Sequence, residues 1–498
     1  MAHVEPTVTL AGMNVDLDQL RSRLHGEADD DALLTAESVA AAYARLSRKG
    51  VPLQELRAEA ARDVARARKS IKNISHKMGH QSIAEHAFFN LDFNDVSRLI
   101  IELIEHHRLA SYTERSQRYV KFTDDFLLPP EIKDAGLADE YQQLYRLMFD
   151  TYEELYRVLR PYFLNSEGDP DKLEKRRYVE LENLAKEDAR YAIGLATQTA
   201  LGASFNGRAL ELLIRRLLSH SSWEARHLGE MIKQQVQPEA PSLVKYCDPC
   251  TYFKQLPQTV REIALHYIVP LADHAEPPRI ESFSASDNPD DAVIAAMLYQ
   301  GGVGPIDRCQ FAVKSMSDEQ KHRAFLELVR HREKHDNVSR HFELPRFEFG
   351  LVVSASLFAQ LKRHRLCTQI VADYDTDLGV TVPPSLVENK LVDKLLAVVE
   401  PAEALHAKIL DATDNPFTAA YALTNAHRRR VLVAINLREM YHLTKERMAN
   451  FAQWDIRATA TEMAAKVREV APITGQLLMN KDDLEDELAR LLSELEKN

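Results

Sequence analysis

Histidine and arginine form short clusters at corresponding places in the two halves of this 498-residue chain. The first half contains His106-His107-Arg108, and the second contains Arg363-His364-Arg365. Arginine is suited to phosphate because its planar guanidinium donates hydrogen bonds in bidentate pairs. Successive residues of a helix project to different sides, so one triplet could contact two ligands, or a ligand and a neighbouring subunit. The triplets therefore indicate candidate sites for phosphorylated small molecules.

Other residues repeat in the same order in both halves. Trp223-Glu224-Ala225-Arg226 and Trp454-Asp455-Ile456-Arg457 share one pattern and contain both tryptophans of the chain. Each triplet is also preceded by two histidines six residues apart: His80 and His86 in the first half, His335 and His341 in the second. A shared order at nearly equal spacing is improbable by chance. We therefore predict a tandem duplication whose two copies have diverged.

Most of the sequence that must position these residues has the periodicity of helices. Apolar stripes at helical spacing run through residues 99–107, 154–164, 210–218 and 402–412. Strand candidates are few: residues 7–10 near the start, and residues 279–283 after a double proline. We therefore predict a helix-rich chain with few strands.

The best domain boundary lies near Ala275, where Glu276-Pro277-Pro278 is followed by a polar stretch at residues 284–290. Each side of this boundary begins with a short strand candidate and an alanine-rich helix. We predict two domains, residues 1–275 and 276–498. The second domain ends in an acidic amphipathic helix with four leucines on one face: Leu484, Leu488, Leu491 and Leu495.

Composition and charge exclude several classes of function. The 63 Lys and Arg against 75 Asp and Glu give a net charge of −12, which does not attract nucleic acid or anionic membranes. Arg428-Arg429-Arg430 is too short a basic patch to change that expectation. The sequence has no apolar run long enough to span a bilayer, no secretion signal, and too few cysteines for a disulfide framework. We expect a cytoplasmic protein with neither a membrane nor a nucleic-acid partner.

Residues 79–119 closely resemble the flavin-dependent thymidylate synthases. The signature of that family is Arg-His-Arg, two residues, Ser, one residue, Asn, two residues, Ser, one residue and Arg-Tyr, after a His-x-Ser/Thr-x-x-Glu-His segment. The first half has the early segment at residues 80–86, and Ser116, Arg118 and Tyr119 of the later one. The second half contributes Asn436, Arg438, Arg447 and residues 452–457. The resemblance implies an α+β fold of two repeated helix-rich domains, each with a small antiparallel sheet packed on helices.

The resemblance also implies an enzyme that methylates dUMP to dTMP. Relatives reduce FAD with NADPH, transfer the methylene group of methylenetetrahydrofolate to C5 of dUMP, and finish with a hydride from the flavin. They need no protein nucleophile, and this sequence agrees, since its four cysteines signal neither a Cys-His nucleophile pair nor a four-cysteine zinc site. Arg447 matches the family's activating arginine, whose charge would stabilise negative charge on the uracil oxygens.

The family's contacts can be transferred position by position to this sequence. The implied dUMP-binding residues are Ser116, Gln117, Arg118, Arg190, Gln360 and Arg363. The implied flavin-binding residues are His80, Ser82, Glu85, His107, Arg108, Arg363, His364, Arg365, Asn436 and Arg438.

The two halves depart from the family pattern in opposite ways. The first half has His106, Leu103 and Thr113 where the family has Arg, Gln and Asn, so its flavin motif is weakened. The second half keeps that motif but has Asp373 and Asp375 where the phosphate-binding Ser and Arg belong. Because two carboxylates repel a phosphate, we predict that the second phosphate pocket is lost.

This reciprocal loss suggests a division of labour between the repeats. In the family, each site is assembled from several subunits of a homotetramer. We therefore expect a homodimer that forms a pseudo-tetramer with fewer than four working sites. Asn206 and Arg208 match the Asn-x-Arg motif in the first half, Arg216 is an uncertain counterpart of Arg447, and Phe451 replaces a flavin-contacting His.

Three alternative interpretations remain open. A diverged member of the family could hydroxymethylate or otherwise alkylate another pyrimidine nucleotide. The chain could instead be a non-catalytic protein that binds flavin or nucleotide. A metal could also be held by His76, His80 and His86 with Glu85, because the first two have i, i+4 spacing on a helix.

Overall fold

The computed structural model describes residues 4–26, 34–46, 49–73, 81–122, 124–268, 276–333 and 335–495. Its strands are β1 Thr7–Met13, β2 Phe88–Ser97, β3 Ala110–Glu114, β4 Gln198–Asn206, β5 Ile280–Ala285, β6 Arg346–Ser354, β7 Thr368–Tyr374 and β8 Arg428–Asn436. Among these strands, the sequence pattern predicts only β1 and β5. The domain boundary predicted near Ala275 lies outside the described residues.

The α-helices account for most of the remaining described chain. The first eleven are α1 Leu17–Leu24, α2 Ala36–Leu46, α3 Leu53–Arg62, α4 Val64–Ile71, α5 Arg98–Glu105, α6 Pro130–Asp134, α7 Ala138–Leu164, α8 Lys175–Ala189, α9 Gly207–Leu218, α10 Trp223–Glu239 and α11 Thr251–Tyr267. The others are α12 Pro289–Gln300, α13 Ile306–Lys314, α14 Asp318–Val329, α15 Ala355–Leu361, α16 Pro384–Glu388, α17 Val392–Thr413, α18 Pro416–Ala420, α19 Leu437–Arg447, α20 Trp454–Val470 and α21 Leu484–Leu495. No described helix combines the length and apolar character needed to cross a lipid bilayer.

The described residues form two compact units. The first contains the chain up to Ile268 together with Pro383–Thr424, whose long helix α17 packs against α7. The second contains the chain from Glu276 to Val382 and from Asn425 onward.

Each unit contains one four-stranded antiparallel sheet, and the two sheets have the same topology. The strand order is β1-β2-β4-β3 in the first unit and β5-β6-β8-β7 in the second. Helices pack on these sheets in both units. The predicted α+β class with a small antiparallel sheet in each of two helix-rich repeats is therefore confirmed.

Alternation of apolar and polar residues explains the central strand of the first sheet. Phe89, Leu91 and Phe93 are buried in the core, while Asn90 and Asp92 on the opposite face are exposed. Side chains of a strand point to opposite faces in turn, so this period of two buries one face against helices. In the second sheet, Phe347, Phe349 and Leu351 of β6 are buried in the same way.

Both His/Arg triplets lie after a helix and not within it, which corrects the predicted stripe through His107. Helix α5 ends at Glu105 and α15 ends at Leu361, and the triplets occupy the turns that lead into β3 and β7. In a turn, the three side chains still diverge. His107 and His364 are buried, whereas Arg108 and Arg363 are exposed.

The acidic residue of each Trp-containing motif connects two helices within its unit. Glu224 accepts hydrogen bonds from the Ser97 hydroxyl, at 2.6 Å, and from the Ser97 backbone N–H, at 2.7 Å. Asp455 likewise accepts from the Ser354 hydroxyl, at 2.8 Å. Both serines cap the N-terminus of the helix that precedes a triplet. The repeated acid thus fixes the start of α5 in one unit and of α15 in the other.

Strand register corrects one detail of the predicted repeat. Phe88 pairs with Asn206, and Arg346 pairs with Asn436, so Phe88 and Arg346 occupy equivalent positions. Counting back three residues, Glu85 corresponds to Glu343. By the same register, His86 corresponds to Leu344 and not to His341. The two histidine pairs, one in each half, therefore do not occupy equivalent positions.

Candidate functional site

A cluster of buried polar side chains lies beside the predicted nucleotide residues of the first unit. Arg98, the first residue of α5, donates a hydrogen bond to the side-chain oxygen of Gln117. Arg118 forms an ion pair with Glu187, in the last turn of α8. Gln117 and Arg118 belong to the loop after β3, and Arg190 directly follows α8. The loop and two helix ends thus bring together Gln117, Arg118 and Arg190, and their binding of substrate stays a prediction.

The electrostatics of this cluster favour an anion. Arg190 is 2% exposed. Burial lowers its pKa to about 10; the charges of Arg98 and Arg118 act in the same direction, and Glu187 opposes them. A lowered arginine pKa means that the environment disfavours the positive charge. A bound anion would stabilise the charged guanidinium of Arg190 and so offset the cost of its burial.

The edge of this cluster remains accessible. Ser116 and Arg118 are partly exposed, and the Ser116 hydroxyl accepts a hydrogen bond from the Arg118 backbone N–H at 3.2 Å. The Gln117 side-chain nitrogen is buried and has no hydrogen-bond partner among the described residues. These groups are suited to donate hydrogen bonds to a ligand.

Sequence reasoning missed two members of the cluster, Arg98 and Glu187. Arg98 interrupts an apolar run in the sequence, and a charged residue that is buried needs a partner or a ligand. That interruption was the available signal for Arg98. Glu187 lies in a charged helical segment and could not be recognised without its contact to Arg118.

The Asn-x-Arg motifs have the same local structure in both units. Asn206 and Asn436 cap the N-termini of α9 and α19 through their side-chain oxygens. Arg208 forms an ion pair with Glu85 at 2.7 Å, and Arg438 forms one with Glu343 at 2.6 Å. These arginines thus connect each helix start to the segment that precedes the central strand.

The remaining flavin candidates of the first unit are mostly at its surface. Ser82 and Arg108 are exposed, and Glu85 is partly exposed. His107 is buried with Nδ1 at 3.3 Å from the Ile104 carbonyl oxygen. Burial and the charge of nearby Arg216 lower the pKa of His107 to about 4. His80 lies outside the described residues, as does His76 of the alternative metal site.

The second unit contains a chain of hydrogen bonds through His364. Glu439 Oε1 lies 3.3 Å from His364 Nδ1, and Arg447 Nε donates to His364 Nε2 at 2.9 Å. Burial, and next the positive charge of Arg447, hold the pKa of His364 well below its ordinary value. His364 is therefore a neutral ring in contact with both a carboxyl group and a guanidinium.

Gln360 lies one turn before His364 and is also buried. Its side-chain nitrogen donates to Gln453 at 3.0 Å, and its side-chain oxygen is buried with no hydrogen-bond partner among the described residues. Arg363 is exposed and Arg365 is partly exposed on either side of the buried histidine. The structure thus places Gln360, His364 and Arg447 around one turn.

The same turn contains a geometric candidate for metal binding. Ligand atoms of His364, Glu439 and His442 all lie within 4.8 Å of one another. In the described contacts, however, one nitrogen of His364 faces Glu439 and the other accepts from Arg447.

The two carboxylates on which the predicted loss of the second phosphate pocket depends have different surroundings. Asp375 accepts the backbone N–H of Asp377 at 3.0 Å and lies 3.6 Å from Arg430. Asp373 is exposed. By the family resemblance these carboxylates replace phosphate-binding groups, and the loss of the pocket stays a prediction.

The three consecutive arginines of β8 are engaged within their own unit. Arg428 pairs with Glu276 at 2.7 Å, and Arg430 pairs with Glu281 at 2.9 Å. Arg429 donates to the Ala372 carbonyl oxygen at 2.8 Å. These three arginines of β8 therefore stabilise the sheet and its edges.

Comparisons with known proteins extend over both halves of the chain. A UPF0159 protein of Thermoplasma acidophilum is 26% identical over 463 residues, which cover 86% of this chain and 91% of that protein. A flavin-dependent thymidylate synthase of Clostridium tetani is 32% identical over 217 residues, which cover 43% of this chain and 82% of that enzyme. Among solved structures, a UMP/dUMP methylase, PolB from Streptomyces cacaoi, bound with 5-Br dUMP, aligns with a TM-score of 0.34 and 18% identity over 49% of this chain and 94% of that one.

One protein family matches this chain twice. The family described as thymidylate synthase complementing protein matches residues 31–242 and again residues 283–473. Two matches in succession are consistent with a tandem duplication, and together they include more than half of the sequence. The chain therefore belongs to the thymidylate synthase complementing protein family.

Proposed function

We propose that this chain is a flavin-dependent enzyme that methylates dUMP to dTMP, with methylenetetrahydrofolate as carbon donor and NADPH as reductant. Membership of the family and the 32% identity to a flavin-dependent thymidylate synthase support a flavin cofactor and a nucleotide substrate. The structural observation that carries the proposal is the buried guanidinium cluster around Arg190.

A nucleotide phosphate matches the chemistry of that cluster. Arg190 and Arg98 are buried, and Arg118 is partly buried beside them. A phosphate dianion would accept charge-assisted hydrogen bonds from such groups, roughly twice as strong as neutral ones. The Gln117 nitrogen and the Ser116 hydroxyl add donors at the accessible edge. We assign the dUMP phosphate to this cluster.

The donor set of the second unit fits a flavin dinucleotide. Arg363 and Arg365 present guanidinium groups beside the triplet turn, where a pyrophosphate could accept their hydrogen bonds. Asn436 and Arg438, with His364, complete the residues that we assign to the cofactor. When bound, FAD would supply the hydride that completes the methyl group.

Arg447 is the residue that we assign to substrate activation. C5 of uracil becomes nucleophilic only when negative charge on the uracil oxygens is stabilised, and a fixed guanidinium can provide that stabilisation. The Arg447 Nε donates to His364 Nε2, which fixes one side of the guanidinium, and we assign its terminal nitrogens to a substrate oxygen. Cys367 is not placed to act as a nucleophile, because it is buried and its thiol donates to the His364 carbonyl oxygen at 2.9 Å.

Product analysis tests the proposal. Purified chain is incubated with FAD, NADPH, methylenetetrahydrofolate and one of dUMP, dCMP or UMP, and the nucleotides are identified by mass spectrometry. We expect a methylated product from dUMP and none without the folate. A hydroxymethylated product, or modification of dCMP or UMP in preference to dUMP, would instead support the related pyrimidine-modifying enzyme.

A further inference from the structure

We propose that Glu439 is a positioning residue that holds Arg447 in its working orientation through the ring of His364. The inference rests on the proposed function, because that function gives Arg447 its role at the uracil oxygens. It adds Glu439, which neither the sequence pattern nor the family resemblance assigns to the site.

The contacts form one line from the carboxyl group to the guanidinium. Glu439 is 3% exposed and His364 is 2% exposed, so water does not compete strongly for either group. Glu439 Oε1 and His364 Nδ1 are 3.3 Å apart, and His364 Nε2 and Arg447 Nε are 2.9 Å apart. The ring is thus fixed from both sides.

Counting protons fixes the direction of each hydrogen bond. Arginine has only donors, so His364 Nε2 must accept from Arg447. A neutral imidazole with a bare Nε2 carries its proton on Nδ1, which must then donate to Glu439. The Glu439 carboxylate therefore selects the one neutral tautomer that can accept from Arg447.

The first repeat supplies an internal comparison in which the carboxyl group is missing. Glu439 is the third residue after the capping Asn436, and Ala209 is the third after Asn206. In that repeat, His107 Nδ1 faces a backbone carbonyl oxygen, and Nε2 has no hydrogen-bond partner among the described residues.

Arg216, the uncertain counterpart of Arg447 in that repeat, also has a different neighbour. The Arg216 guanidinium lies 5.4 Å from the centre of the Phe253 ring. Among the described residues, an arginine therefore donates to the histidine of the triplet in the second repeat, which has Glu439. No such contact is made in the described part of the first repeat, which has Ala209 at that position. This difference is what a positioning role for Glu439 predicts.

The described contacts favour this role over metal binding by the same residues. A metal on His364 Nδ1 would move the ring proton to Nε2, where it would meet the Arg447 N–H, and two donors repel. The metal would also have to break the contact between Glu439 and His364. A metal on Nδ1 would thus require both hydrogen bonds of His364 to be lost, and a metal on Nε2 would displace Arg447.

Two substitutions at Glu439 and one control test the proposal. Glu439→Ala copies the first repeat, and Glu439→Gln keeps an oxygen that can accept from His364 Nδ1. Glu469→Ala, at an exposed residue paired with Lys466 on α20, is the matched control. We expect Glu439→Ala to lower kcat about 10- to 100-fold, the range typical of residues that orient a metal-binding histidine. We expect KM for dUMP to change little, and Glu439→Gln to recover most of the loss.

Crystal structures separate this inference from the proposed function. In Glu439→Ala, we expect the fold to be retained and Arg447 Nε to leave hydrogen-bond distance of His364 Nε2. That comparison decides the positioning role even if the wild-type chain turns over no dUMP, a result that would refute only the proposed function. Arg447 remaining on His364 in the alanine variant would overturn the inference. Stoichiometric zinc bound by the wild type and lost in both Glu439 variants would also overturn it.

Discussion

Arg447 is the residue on which the proposed chemistry depends most directly. A single fixed donor to a developing oxyanion typically contributes about 10²- to 10³-fold to kcat. We therefore expect Arg447→Ala to lower kcat by about that factor while flavin content stays unchanged. Lysine should not restore turnover, because its point charge does not reproduce the guanidinium fork.

The matched control for Arg447 is Arg330→Ala, at a guanidinium that is 47% exposed and paired with Glu327. Its kcat and flavin content should equal those of the wild type. Unchanged turnover in Arg447→Ala, or loss of flavin together with the fold, would contradict the assignment.

Arg118 tests the phosphate cluster at the level of binding. A hydrogen bond to a charged group is worth about 1.5–3 kcal/mol, so Arg118→Ala should raise the Kd for dUMP by about 10- to 100-fold. Calorimetric titration measures this change, with Arg176→Ala as the control because that side chain is 90% exposed. An unchanged Kd in Arg118→Ala would place the phosphate elsewhere.

At the scale of elements, the sequence predicted the helices better than the strands. Stripes at helical spacing mark α5, α9 and α17, which the structure confirms. The alternation of apolar and polar residues in β2 is a local strand signal. Strands such as β4 and β8 depend on pairing with distant segments, and no local pattern carries that information.

In the candidate site, the residues of the motifs could be predicted from the sequence, whereas the residues that contact them could not. Gln117, Arg118 and Arg190 were predicted to share a site and lie together in the first unit. The partners Arg98, Glu187 and Glu439 were not predicted, because their importance comes from contacts formed in three dimensions. Residues that support others rarely belong to a recognisable motif.

The contact of Glu224 on α10 with Ser97 at the start of α5 predicts that the stability of the fold depends on pH. Burial raises the pKa of Glu224 from an ordinary 4.5 to about 7. The folded chain then binds a proton that the unfolded chain releases, so stability falls as pH rises from about 4.5 to about 7. The free energy of unfolding falls by roughly 3 kcal/mol over this pH range.

Glu224→Gln should remove this dependence, since glutamine is neutral and can still hydrogen bond with Ser97. Denaturant unfolding at pH 5 and pH 8 measures the difference between wild type and variant, with the exposed Glu230→Gln on the same helix as control. If wild type and Glu224→Gln differed in free energy of unfolding by the same amount at pH 5 and pH 8, Glu224 would not titrate in this window.

At the scale of the whole molecule, the two repeats share a topology but carry different residues. The first unit contains the phosphate cluster, and the second contains the histidine-held Arg447. If the repeats divide the labour, each chain should bind fewer than two dUMP molecules at full affinity. Equilibrium dialysis with labelled dUMP counts the sites, and two equal high-affinity sites per chain would contradict the division.

The visible absorbance spectrum of the purified chain tests the central claim most directly. Released flavin is identified and counted per chain, and the spectrum is recorded before and after addition of dUMP. We predict bound FAD whose absorbance bands shift with dUMP, as expected when flavin and nucleotide share one site. A colourless chain that takes up no added FAD would contradict the proposal and favour a protein that has kept the motifs without the chemistry.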